Sequence, residues 1–75
     1  MSQFAAELRR GITEAQEASA AAVQAGHPYE AYLHRARLAD LLEVATRHAV
    51  DTEGLVEPSM RQALDDDHAA MQGRA

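Results

Sequence analysis

The sequence lacks most of the features that stabilise a small protein. It contains no cysteine, which excludes disulfides, and no set of side chains at zinc-finger spacing, so no cofactor or structural metal is expected. Only thirteen of its 75 residues are Leu, Ile, Val or Phe, whereas seventeen are Ala. Alanine favours helices but buries little area, so the chain forms helices more easily than a core. We therefore expect it to complete its core by associating with a second copy.

Long apolar runs and a basic surface are also missing. No run approaches the roughly 18 apolar residues of a membrane span, and the N-terminus lacks the pattern of a secretory signal. These absences predict a cytoplasmic protein with no membrane partner. Seven arginines and no lysine stand against twelve acidic residues, which gives a net charge of −5. Because nucleic acids bind to basic surfaces, a nucleic-acid partner is disfavoured.

The first third of the sequence contains a seven-residue repeat of apolar and small residues. Their spacing alternates between four and three positions, as in a helix that packs along one narrow stripe in a coiled coil. The members of this heptad stripe are Met1, Ala5, Leu8, Ile12, Ala15, Ser19 and Ala22. Ser2 is a suitable N-cap and Gly26 a suitable C-terminal cap, which predicts a first helix over residues 2–25.

A second helix of similar length follows at once. Pro28 suits its first position, and the apolar period predicts that it continues over residues 29–50. The connection from Gly26 to Pro28 is so short that the two helices must lie side by side and antiparallel. The predicted fold class is all-α, with an antiparallel helical hairpin over residues 2–50.

The last third predicts an acidic linker and a short amphipathic helix over residues 51–71. This helix begins at Pro58, or has Ser59 as its N-cap. The negative charges of Asp65, Asp66 and Asp67 oppose the dipole at a helix C-terminus, so we expect the helix to fray there. Residues 72–75 are expected to form a disordered tail.

The apolar arc of the second helix is too wide for one alanine-rich neighbour to cover. A second hairpin would cover it, so the sequence predicts a homodimeric helical bundle. The residues expected at the dimer interface are Leu8, Ile12, Ala15, Leu38, Leu41, Leu42 and Ala45.

These features predict a small non-catalytic interaction module, such as an adaptor, a regulatory subunit or an antitoxin-like inhibitor. Its partners would be a second copy and another protein, which would contact the third helix through Met60, Leu64, Asp65, Asp66 and Asp67. The alternative is that this helix folds back on its own hairpin. No nucleophile lies in a catalytic motif, and the chain is too small to enclose a substrate, so it is not expected to be an enzyme.

The sequence is also compatible with two other functions. A DNA-associated accessory protein could contact phosphates through arginines on the hairpin, although acidic residues alternate with them. The arginines concerned are Arg9, Arg10, Arg35, Arg37 and Arg47. A metal-binding bundle could use His34 and His48, but these lie about 21 Å apart along one helix and would need a second copy to share an ion.

Overall fold

A computed structural model describes residues 2–73 of the chain. Within that range it contains three α-helices and no strand: α1 (Gln3–Gln24), α2 (Pro28–Arg47) and α3 (Pro58–Gln72). Helices α1 and α2 pack closely as a hairpin, and α3 is the short third helix. The predicted all-α fold class is therefore confirmed.

Helix α1 has the caps that the sequence predicts. The Ser2 hydroxyl accepts a hydrogen bond from the Ala5 N–H at 3.1 Å, which satisfies one of the unpaired donors at the N-terminus. At the other end Gly26 has a φ of +77°. The N–H of Gly26 bonds to the Val23 carbonyl, and that of His27 to the Ala22 carbonyl, at 3.0 and 2.9 Å. This pair of bonds is the Schellman motif.

Helix α2 begins at Pro28 as predicted but ends at Arg47, three residues before the predicted end at residue 50. The chain leaves the helix through a second Schellman motif, in which Ala49 has a φ of 54°. The Ala49 N–H bonds to the Thr46 carbonyl at 3.2 Å, and the Val50 N–H to the Ala45 carbonyl at 2.8 Å. These bonds turn the chain away from the helix axis.

Five members of the heptad stripe of α1 are buried against α2, whereas Ala22 near the end of the helix is only half-buried. Ile12 on α1 and Leu38 on α2 have no exposed surface and form the centre of the core. Ser19, also buried, donates its hydroxyl hydrogen to the Ala31 carbonyl at 3.2 Å, so the polar member of the stripe is satisfied inside the hairpin. The stripe members buried here are Ala5, Leu8, Ile12, Ala15 and Ser19. Met1 lies outside the described residues.

Helix α3 begins at Pro58, which confirms one of the two predicted starts. Its N-cap is Glu57, so the other prediction, with Ser59 as the N-cap, is wrong. It also runs through the three aspartates to Gln72, which contradicts the predicted fraying. Two of those aspartates are bonded, because Asp67 pairs with Arg35 and Asp66 accepts from Gln62. Gln72, expected in the disordered tail, is the last helical residue, and residues 74–75 lie outside the described range.

The linker and α3 cover one side of the hairpin. Val56, Met60 and Leu64 pack against the hairpin core, although no residue of α3 is fully buried. The Arg9 side chain donates to the Asp51 carbonyl at 2.9 Å and fixes the start of the linker. The third helix therefore folds back on its own hairpin, which was the alternative to a freely displayed helix.

Candidate interaction surfaces

The residues predicted for the dimer interface lie mostly inside the single chain. Five of the seven are buried between α1 and α2, namely Leu8, Ile12, Ala15, Leu38 and Ala45. Leu41 and Leu42 are half-buried at the edges of this core. A second copy cannot reach the five buried residues unless the hairpin opens. The homodimer itself remains a prediction, and its interface would have to exclude these five buried residues.

One side of the hairpin is left uncovered by the linker and α3. On the covered side, Arg9, Gln16 and Arg35 of the hairpin form hydrogen bonds to the linker and to α3. At 100° per residue, Gly11 lies on the other side of the buried stripe from Gln16. This uncovered side, called the open face below, contains Phe4, Gly11, Ala18, Ala22 and Leu41. Phe4 is 48% exposed there, and its ring packs edge-on against that of His48 with 5.2 Å between centroids.

Gly11 is an unexpected residue in the middle of α1. A glycine inside a helix costs about 1 kcal/mol relative to alanine, and it is often retained where another backbone approaches closely. A Cβ placed on Gly11 would meet only the Leu41 Cδ1, at 3.5 Å, which is an ordinary van der Waals contact. The fold of one chain therefore has room for alanine at this position. On the open face, Gly11 therefore lies next to the Leu41 side chain without a side chain of its own.

The surface predicted for a second protein is divided by the fold. Met60 and Leu64 are half-buried against the hairpin, and Asp67 receives two hydrogen bonds from Arg35, at 2.7 and 3.1 Å. The hydrogen bonds to Asp67 raise the pKa of the Arg35 guanidinium. Asp65 and Asp66 remain exposed, and Met60 keeps part of its side chain accessible, so these three residues are the part of the predicted surface that a partner can still reach.

A groove that the sequence did not predict runs between α1 and the linker and N-terminal half of α3. We call it the α1–α3 groove and define it by Thr13, Ala20 and Val23 on one wall and Leu55, Met60 and Ala63 on the other. Glu17 and Glu57 also line it. The Gln16 amide holds the linker wall in place. It donates to the Leu55 carbonyl and accepts from the Glu57 N–H, both at 2.9 Å.

The alternative functions receive little geometric support. Three of the arginines proposed to contact DNA are already engaged, since Arg9 bonds to a carbonyl and Arg35 and Arg47 pair with acids. Within residues 2–73 no three His, Asp or Glu side chains converge as a metal site would require. His34 lies on α2 and His48 is its C-cap residue, about four turns further on, and the His48 ring packs edge-on against the Phe4 ring.

Across the part of the chain that the structure describes, no helix is long and apolar enough to cross a bilayer. Comparison of the chain with protein-family models, with curated proteins and with solved structures finds no match.

Proposed function

We propose that this chain is a small non-catalytic protein–protein interaction module that forms a homodimer by packing the open faces of two hairpins against each other. The observation that carries the proposal is Gly11, which is unfavourable in a helix and is not required by packing within one chain. Close approach of a second backbone would account for it. Ala18 and Ala22, which are only half-buried, extend the small-residue surface toward the end of α1.

The thin core supports self-association. The largest fully buried side chains of the single chain are Ile12, Leu38 and Ser19, which is little apolar volume for a stable domain. Helix α1 has 22 residues and is about 33 Å long, and two packed helices are about 19 Å wide. The open face therefore offers about 600 Å² per copy, which approaches the roughly 800 Å² per partner of a standard stable interface.

Sedimentation velocity of the full chain from 1 µM to 1 mM tests the proposal. We expect a dimer with twice the 8.1 kDa mass of the chain. Ala18→Arg places a long charged side chain on the open face and should leave a monomer with unchanged helicity. Ala20→Arg, on the exposed opposite side of α1, is the matched control and should remain dimeric. A parent chain that stays monomeric at 1 mM, or equal behaviour of the two variants, would contradict the proposed dimer.

Gly11→Ala provides a second test, because its effect differs between a monomer and a dimer in which a second backbone packs at Gly11. In a single chain the substitution should raise stability by about 1 kcal/mol, because alanine is the better helix former and its Cβ fits. If a second backbone packs at Gly11, the same methyl group should weaken dimerisation. We therefore expect Gly11→Ala to have a higher melting temperature at low protein concentration together with a higher dissociation constant of the dimer.

We also propose a cytoplasmic location for the protein, as expected from the sequence.

A further inference from the structure

We infer that the α1–α3 groove binds a basic amphipathic helix of a second protein. This surface lies on the other side of the hairpin from the open face. The inference therefore goes beyond the proposed homodimer, and the two can fail separately. It depends on the shape of the groove, on its charge and on its length.

The half of the groove near Val23 and Ala63 has a mainly apolar lining that the chain itself does not fill, and the carboxylates of Glu17 and Glu57 lie in the other half. Val23 on its α1 wall is 56% exposed, and Met60 on the opposite wall is half-buried. Ala20 also lines the α1 wall, and its small side chain leaves space above the backbone of α1. Such a channel between two elements suits the apolar stripe of a third helix, as in other helix-in-groove complexes.

The charge of the groove selects a basic partner. Glu17 and Glu57 are exposed along it, and neither forms an ion pair with any residue in the range 2–73. Among the described residues that line the groove, Arg35 is the only basic one, and Asp67 already neutralises it. Two carboxylates without a counter-ion beside an apolar channel are complementary to a helix that carries Lys or Arg beside its apolar stripe.

The length of the groove sets the size of the partner segment. From Thr13 to Gln24 the α1 wall rises about 16 Å, which is three helical turns. A helix of about 11 to 14 residues with apolar side chains at i, i+3 or i+4, and i+7 would span it. A second copy is a poor occupant because it would bring its own net charge of −5 to a groove that already carries two unpaired carboxylates, whereas the residues that define the open face are uncharged.

Fluorescence anisotropy with the full chain at physiological salt tests the inference. The probe is a fluorescein-labelled 14-residue peptide of leucine, alanine and lysine with that apolar spacing, and a matched peptide carries glutamate in place of lysine. Glu17→Lys/Glu57→Lys reverses both groove charges. Glu7→Lys/Glu14→Lys makes the same change in net charge on exposed residues of α1 that lie outside the groove, and it is the matched control.

We expect the parent chain to bind the lysine peptide and not the glutamate peptide. Reversal of the groove charges should weaken binding by at least about fivefold, since two exposed ion pairs are lost and replaced by repulsion, and the control by less than about twofold. In an amide NMR titration, the largest shifts should fall on Ala20, Val23 and Met60. Binding should persist in the monomeric Ala18→Arg variant, which separates this inference from the dimer.

Four results would overturn the inference. The first is no binding of the lysine peptide. The second is equal weakening in both double variants, which would indicate nonspecific attraction to an acidic protein. The third is a set of NMR shifts centred on the open face. The fourth is a change in sedimentation of Glu17→Lys/Glu57→Lys relative to the parent chain, which would identify a second copy as the occupant of the groove.

Discussion

Ala49 occupies at the end of α2 the position that Gly26 occupies at the end of α1. Both residues have positive φ, 54° for Ala49 and 77° for Gly26, and in each case the residue and the one after it donate the two hydrogen bonds of a Schellman motif. Only glycine adopts this left-handed conformation without a steric cost from Cβ. The chain therefore contains the same turn once with the favoured residue and once without it. Exchange of the two residue types provides a reciprocal test of the backbone geometry.

The expected magnitude follows from two opposing effects. A non-glycine residue in the left-handed region costs about 1–2 kcal/mol, whereas glycine loses about 0.4–1 kcal/mol more chain entropy on folding than alanine does. Ala49→Gly should therefore raise the free energy of unfolding by about 0.5–1 kcal/mol. Ala49 is exposed, so no packing is lost. Gly26→Ala should lower stability by a similar amount, because a Cβ at Gly26 meets no atom within 4 Å and the cost is purely conformational.

Circular dichroism at 222 nm, with thermal and urea denaturation at one fixed protein concentration, measures both changes. Fixed concentration is needed because self-association would shift the midpoint by mass action. For a domain of this size, 1 kcal/mol corresponds to about 4–8 °C, so Ala49→Gly should raise the melting temperature by at least about 2 °C. An Ala49→Gly variant with equal or lower stability than the parent chain, beside a Gly26→Ala variant destabilised as expected, would refute a conformational cost at Ala49.

Three further predictions concern the core and the docking of α3. Leu38→Ala should cost about 2–5 kcal/mol in urea denaturation because Leu38 is fully buried, whereas Leu33→Ala, at a 47% exposed position, should cost less than about 1 kcal/mol. Ser19→Ala should cost about 1 kcal/mol through its lost hydrogen bond to Ala31, and an unchanged midpoint would show that this bond contributes nothing. Asp67→Asn should accelerate amide hydrogen exchange across α3 but not across α1, and Asp65→Asn, the exposed control, should leave exchange unchanged.

The hairpin could be predicted from the sequence because its signals are local. The heptad stripe marks the face of α1 that is buried, and Ser2, Gly26 and Pro28 mark where the first two helices end and begin. The sequence predicts the end of α2 at residue 50 instead of Arg47, because Ala49 occupies a position where glycine usually marks the end of a helix. A helix end formed by a residue other than glycine in a left-handed conformation is therefore hard to predict from the sequence.

The location of α3 and the α1–α3 groove could not be predicted, because both depend on contacts between distant parts of the chain. Arg35 and Asp67 are 32 positions apart, and Gln16 and Glu57 are 41 apart. An amphipathic helix has the same apolar face whether it packs on its own hairpin or on a partner. For the same reason, the heptad stripe predicted helix packing correctly but did not distinguish packing on α2 from packing on a second copy.

The fold divides the hairpin into two sides with different chemistry. The side covered by the linker and α3 is completed within one chain and carries the acidic α1–α3 groove, whereas the open face is small and apolar. If two open faces pack about a twofold axis, both grooves remain on the outside of the dimer, because each groove lies across its own hairpin from the interface. The dimer would then present two equivalent sites to one basic partner. Two linked sites bind a divalent partner more tightly than either site alone, so self-association would raise affinity for a partner without any new contact.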